Sequence, residues 1–194
     1  LRDFPQHADA LHLLGVIACQ VEEYKIATDL ISRAVEIDSN QSQPQFAEMY
    51  NNLGNALLGQ GNLEESIQAY QQAIHIQPQF SEAYYNLGNA LRKQGKLEES
   101  IKAYQQSIRL QPDHVEAHNN LGIALEEQGK LEESIKTYQQ AIHLQPDDVA
   151  GYSNLIFAQD FHLDIGLQEQ QIERQKWNQR FILPLANSIQ LHPN

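Results

Sequence analysis

The sequence predicts an all-α fold in which helix-turn-helix units stack into a right-handed superhelical solenoid. Three sets of markers recur with a period of 34 residues: four prolines and two series of glycines, at Pro44, Pro78, Pro112 and Pro146, at Gly54, Gly88 and Gly122, and at Gly61, Gly95 and Gly129. A fixed period of this length is typical of repeat architectures. A single unit cannot bury its own apolar faces, so the units are expected to stack.

The markers divide the chain into one degenerate unit, three regular units and a carboxy-terminal segment. The segment is expected to hold a partial repeat and a capping helix in which Ile172, Trp177 and Phe181 cover the last apolar face. Five extra residues at 39–43 predict a longer loop after the first unit. The predicted boundaries are 1–41, 47–80, 81–114, 115–148 and 149–194.

Each regular unit is predicted to contain two helices joined by a tight turn. Apolar residues fall on one stripe of each helix at helical spacing, as Tyr50, Leu53 and Leu57 do in the first unit of this kind. Gly61 suits a left-handed residue between the helices, and Asn62 with Glu65 has the form of a capping box.

Two glycine positions carry further expectations. Glycine in the middle of a helix is unfavourable, so its recurrence at 54, 88 and 122 predicts a close approach of two backbones there. In the degenerate first unit, Glu22 stands where the turn glycine should be.

Composition limits the kinds of partner. The formal charge of -12 and the pI near 5.0 oppose binding to nucleic acid and to anionic membrane surfaces, and favour a neutral or basic polypeptide. The single cysteine, Cys19, excludes an intrachain disulfide and makes the cytoplasm the expected location. No run of 18 apolar residues occurs, so we expect no membrane span.

The order of aromatic, Leu-Gly, small and proline positions in residues 47–148 resembles the tetratricopeptide repeat (TPR). A second resemblance covers Ser153 to Phe157, Trp177, Leu183 to Leu185 and His192 to Asn194. This pattern is similar to the junction in bacterial O-linked N-acetylglucosamine (O-GlcNAc) transferase-like, or SPINDLY-like, proteins. That resemblance implies a glycosyltransferase domain following the repeats, outside this chain.

The face of each first helix opposite its buried stripe is the predicted peptide-binding surface. An asparagine amide offers both a donor and an acceptor, so a series of asparagines could bind the backbone of an extended peptide. The TPR superhelices of O-GlcNAc transferases carry a similar series at the matching position. The candidate residues are Glu48, Asn52, Asn55, Glu82, Asn86, Asn89, Lys93, Glu116, Asn120 and Asn154.

One alternative is that these asparagines only join adjacent helices. The basic residues with which chaperone-binding TPR proteins clamp a carboxylate are missing, which disfavours a co-chaperone role. Metal binding by His114 and His118 is disfavoured, because His118 occupies a packing position and a site needs three or four ligands.

No catalytic residues, cofactor or metal are expected in this chain. The first functional hypothesis is a protein-interaction scaffold that recognises partners for an O-GlcNAc transferase-like parent. The second is a stand-alone assembly scaffold without such a parent. Apolar solenoid ends also make a homo-oligomer conceivable.

Overall fold

The computed structural model describes residues 7–37, 44–161 and 166–184. These residues form ten α-helices and one π-helical segment at Asn178–Ile182, with no strand among them, which confirms the predicted all-α repeat fold. The predicted long loop at 39–43 lies outside the described residues. The helices are α1 (Ala8–Gln20), α2 (Tyr24–Ile37), α3 (Pro44–Gly59), α4 (Leu63–Ile76), α5 (Ser81–Lys93), α6 (Leu97–Leu110), α7 (Val115–Glu127), α8 (Leu131–Leu144), α9 (Val149–Phe161) and α10 (Leu167–Trp177).

The chain divides into two compact units, Leu1–Pro112 and Asp113–Asn194. In the first unit, α1 and α2, α3 and α4, and α5 and α6 form three helical hairpins, and α2 packs on α3 as α4 packs on α5. In the second unit, α7 and α8 form a hairpin, α8 packs on α9, and α10 packs on α9. No described helix is long and apolar enough to cross a membrane.

Left-handed residues close the turns inside the hairpins. Gly61, Gly95 and Gly129 have φ near +80°, at 84°, 80° and 81°, as glycine favours. Glu22 occupies the same conformation with φ 62°, without the freedom of a glycine. The backbone N–H of Glu23 donates to the carbonyl of Ala18, as that of Asn62 donates to Leu57, so both turns close in the same way.

The mid-helix glycines make room for a side chain and not for a second backbone, which corrects the sequence expectation. A Cβ atom placed on Gly88 would lie 2.6 Å from Cε1 of Tyr104, and one on Gly54 would lie 2.5 Å from Cε1 of Tyr70. Both tyrosines are fully buried. At this glycine, each of the helices α3, α5 and α7 therefore receives the aromatic ring of its own second helix.

Two other local expectations were wrong. The Asn62 side chain makes no capping hydrogen bond at the start of α4, so the predicted capping box does not form. In the carboxy-terminal cap, Phe181 packs edge-on against Tyr152 at 5.6 Å and Trp177 lies 6.1 Å from Phe181. Ile172 is 45% exposed and does not share this packing.

Candidate functional site

On α3, two asparagines of the predicted binding surface contact neighbouring side chains, one through its amide nitrogen and the other through its amide oxygen. The Nδ2 of Asn52 lies 3.0 Å from Nε2 of His12, and the Oδ1 of Asn55 accepts the hydroxyl of Tyr70 at 2.8 Å. Both asparagines remain partly exposed. Asn52 therefore keeps a carbonyl acceptor available, and Asn55 keeps an amide donor, one helical turn apart.

A similar pair of hydrogen bonds recurs on α5. The Nδ2 of Asn86 donates to Oδ1 of Asn51 on α3 at 3.0 Å, and the Oδ1 of Asn89 accepts the hydroxyl of Tyr104 at 2.7 Å. Asn51 is only 2% exposed, and its own Nδ2 donates to Glu82 at 3.4 Å. Asn51 thus joins two consecutive first helices through residues of the predicted surface.

His12 holds Asn52 as a neutral imidazole. Burial lowers the pKa of His12, and the nearby carboxylates of Glu48 and Asp9 only partly oppose this effect. With Nε2 unprotonated, the ring accepts the amide of Asn52. The first repeat therefore fixes the orientation of the asparagine in the next repeat.

Charged side chains border this surface in the first unit. Glu48 and Glu82 are exposed, and Glu82 accepts a hydrogen bond from the amide of Asn51. Lys93 is exposed at the end of α5 and makes no ion pair with a described residue. The two carboxylates make the middle of the surface acidic, whereas Lys93 places a positive charge at its edge.

The second unit carries the corresponding residues with different contacts. Asn119 donates from Nδ2 to Asp148 at 2.6 Å, while its buried Oδ1 accepts no hydrogen bond from a described residue. Asn120 and Asn154 are partly exposed on α7 and α9, and Glu116 lies 3.7 Å from His114. The tie made by Asn51 to a following asparagine is therefore not repeated between Asn119 and Asn154.

The tyrosines behind the surface are structural. Burial raises the pKa of Tyr104 to about 12 against an ordinary value of 10.0, and it also raises the pKa values of Tyr70 and Tyr138. The hydroxyl of Tyr138 donates to Glu126 at 3.2 Å, because Ile123 stands where the other repeats have asparagine. Each phenol is thus neutral and engaged within its own hairpin.

Sequence reasoning missed the two asparagines that connect repeats. Asn51 and Asn119 are not among the predicted binding residues, yet Asn51 accepts the amide of Asn86 and Asn119 donates to Asp148. The sequence signal is that both occupy the same position of the 34-residue repeat, directly before the partly exposed Asn52 and Asn120. The described residues contain no group of three or more potential metal ligands, and His114 instead lies close to Glu116.

Two models of the tetratricopeptide repeat match the regular part of the sequence, one over residues 85–149 and the other over residues 54–95. Residues 54–149 carry tetratricopeptide repeats. No curated protein matches the chain.

Solved structures share this TPR fold over most of its length. The crystal structure of the MamA protein is 20% identical, covers 89% of this chain and 91% of its own, and has a TM-score of 0.76. MamA 41-end from Desulfovibrio magneticus RS-1 is 16% identical, with 92% and 96% covered and a TM-score of 0.76. YrrB, described as a TPR protein with an unusual peptide-binding site, is 18% identical, with 98% and 95% covered and a TM-score of 0.72.

Proposed function

We propose that this TPR chain is a protein-interaction scaffold that binds an extended polypeptide through the partly exposed asparagines of its first helices. The pairing of a free acceptor on Asn52 with a free donor on Asn55 supports this most directly. An extended peptide presents backbone N–H and C=O groups that need such partners. Asn86, Asn120 and Asn154 are the corresponding residues of the later repeats.

The acidic border of the surface decides the charge of the preferred peptide. Glu48 and Glu82 in the first unit, and Glu116 in the second, are exposed carboxylates that repel an acidic segment. A neutral or basic segment is therefore the preferred partner. This contribution weakens as salt is added, whereas the hydrogen bonds of the asparagines persist.

The test is binding to a peptide array, followed by calorimetric titration of the strongest binder. We expect the Asn52→Ala/Asn86→Ala double variant to lose about tenfold or more in affinity, since each lost hydrogen bond is worth about 0.5–1.5 kcal/mol. The matched control is Asn62→Ala, because Asn62 is exposed and makes no side-chain cap. Circular dichroism establishes that every variant remains folded.

A second arm tests whether the peptide backbone is what is recognised. Methylating single backbone nitrogens of the bound peptide removes donors without changing its side chains. We expect the methyl groups that block binding to lie at alternate positions, because an extended chain turns every second N–H to the same side. Uniform tolerance of methylation, or equal affinity of wild type and double variant, would contradict the proposal.

We further propose, from the sequence resemblance of the carboxy-terminal segment alone, that the scaffold recognises partners for an O-GlcNAc transferase-like protein in the cytoplasm. The chain itself is proposed to be non-catalytic. The reading frame after Asn194 tests the parentage. A sugar-nucleotide-binding domain there supports it, and a stop codon there favours the stand-alone scaffold.

A further inference from the structure

Two of the described first helices, α1 in the first unit and α9 in the second, expose large apolar side chains. On α1, Leu13 is 62% exposed and Ile17 is 47% exposed. On α9, Phe157 is 53% exposed and Phe161 lies against it with ring centroids 4.7 Å apart. Large apolar side chains grouped in this way mark a surface that another molecule covers.

The repeat register shows what the α1 face covers. Ile17 of α1 corresponds to Ala56 of α3, because Gly15 and Gly54 mark the same place in their helices. Ala56 is fully buried and packs against Ala18 and Ala27 of the preceding hairpin. A first helix therefore uses this face to cover the hairpin before it. No described helix plays that part for α1.

The same register shows what covers the α9 face. Phe157 lies 34 residues after Ile123 of α7. Ile123 packs against a cluster formed by Ile135 and Tyr138 of α8 and by Leu155 and Ala158 of α9. The position therefore borders the first helix of the following repeat as well as the second helix of its own repeat. No described helix covers Phe157 in this way.

A pocket takes the place of the missing helix at the end of α9. It has a volume of about 560 Å³ and lies between α9 and α10, where the apolar side chains of Ile156, Phe157 and Trp177 line it together with four polar or charged residues, Ser153, Asp160, Arg174 and Asn178. The indole Nε1 of Trp177 is buried without a hydrogen-bond partner among the described residues. A pocket with this lining suits bulky aliphatic side chains.

We propose that α1 of a second copy of this chain docks on this pocket and places Leu13 and Ile17 over it. A second copy is favoured because its α1 is a first helix, and the face of α1 that carries Ile17 is not covered by a described helix. Its side chains are also bulkier than those inside the array, where Asn52 and Ala56 take the corresponding places. The larger side chains match an end pocket that is not filled by described residues.

The contact is mainly apolar. Arg174 beside the pocket is already bound to Asp160 at 2.5 Å, and Arg180 to Asp147 at 2.8 Å. These cations are therefore not available to pair with a second copy, and the association should change little with salt. Because the two faces differ, the contact is heterologous and can extend beyond two copies.

Sedimentation velocity of the full chain over a range of concentrations tests this. The average mass should rise with concentration past that of two copies. Leu13→Asn and Phe157→Asn should each weaken association by about tenfold or more, because each removes a buried large apolar side chain. Both substitutions introduce the residue that α3 and α5 carry at the same place, so the fold is retained.

A mixture of the two variants is the decisive arm. Each keeps the end that the other has lost, so the mixture should form a species of two copies and stop there. Ile26→Glu is the matched control, because Ile26 is an exposed apolar residue at a position where other repeats carry glutamate. It should associate as the wild type does.

Several results would overturn the proposal. These are a wild type that is monomeric at all concentrations, a Leu13→Asn variant that associates normally, or a mixture that behaves like its components. Trp177 is the only tryptophan, so its fluorescence reports on the pocket directly. Emission that is independent of wild-type concentration would mean that no second copy covers the pocket.

Discussion

The Nδ2 of Asn86 donates to the Oδ1 of Asn51 at 3.0 Å, and this bond joins the first helices of two consecutive repeats. Asn51 is almost completely buried, while Asn86 is partly exposed. The buried amide of Asn51 therefore joins the two repeats and also orients the side chain of Asn86 at the surface. Asn52 likewise joins α3 to α1 through His12, so both Asn52 and Asn86 connect consecutive first helices, as the alternative interpretation of these asparagines expected. Peptide binding by the same residues is the role proposed in addition.

Replacing Asn51 with alanine should destabilise the first unit. The change removes the acceptor of Asn86 and the donor to Glu82, and a lost buried hydrogen bond costs about 1–2 kcal/mol. Urea unfolding followed by circular dichroism measures the free energy of unfolding. Asn62→Ala is the control and should shift it by less than about 0.5 kcal/mol. Equal effects of the two changes would show that the buried tie contributes nothing.

Replacing Glu22 with glycine should stabilise the protein. Glu22 has φ 62°, a conformation that costs a non-glycine residue about 1–2 kcal/mol. Glycine removes this cost in the folded state, but it also makes the unfolded chain more flexible, which offsets part of the gain. We expect a net gain of about 0.5–1 kcal/mol in thermal or urea unfolding.

The reciprocal change, Gly95→Ala, should destabilise the chain by about 1 kcal/mol. Nothing lies within 4 Å of a Cβ at Gly95, so the effect would come from the backbone alone. A Glu22→Gly variant that is less stable than the wild type would contradict the account of these turns.

Replacing Gly88 with alanine tests the close approach inside a hairpin. The added methyl would lie 2.6 Å from Cε1 of Tyr104, which is fully buried and cannot move aside freely. Overpacking of this kind costs about 1–3 kcal/mol. The effect should shrink in a Tyr104→Leu background, as measured by a double-mutant cycle. Additive effects would place the strain elsewhere.

The sequence predicted the positions that the backbone and the repeat period control. The left-handed turn residues, including Glu22, and the start of α4 at Leu63 follow from glycine spacing and helical periodicity. The partner of Gly88 was predicted wrongly, because spacing indicates closeness without telling a backbone from a tyrosine ring.

The contacts between repeats could not be predicted from spacing and periodicity. Asn51 and Asn52 are adjacent polar residues, and only the packing of α1, α3 and α5 decides that the first is buried and the second partly exposed. Ile172 fits the apolar period of a cap, yet it remains exposed because Phe181 packs on Tyr152 instead.

Alkaline unfolding should depend on the buried tyrosines. The folded-state pKa of Tyr104 is raised to about 12 from an ordinary 10.0, and those of Tyr70 and Tyr138 are also raised. The native state therefore holds these protons more tightly. The resulting stability is fully present below pH 10 and is lost as the pH rises through the folded-state values.

Urea unfolding at a series of pH values measures this dependence. The free energy of unfolding should fall from pH 10 to pH 12, and a Tyr104→Phe variant should show a shallower fall. An unchanged slope in that variant would exclude Tyr104 as a contributor.

Side-chain amide spectra by nuclear magnetic resonance, recorded during titration with the strongest array peptide, test the binding surface most directly. The account predicts that the largest shift changes fall on Asn52, Asn55 and Asn86 in the first unit and on Asn120 and Asn154 in the second. Asn62 and Asn178, which lie outside the surface, should not shift. Changes confined to other residues, with the five surface asparagines unmoved, would contradict the account.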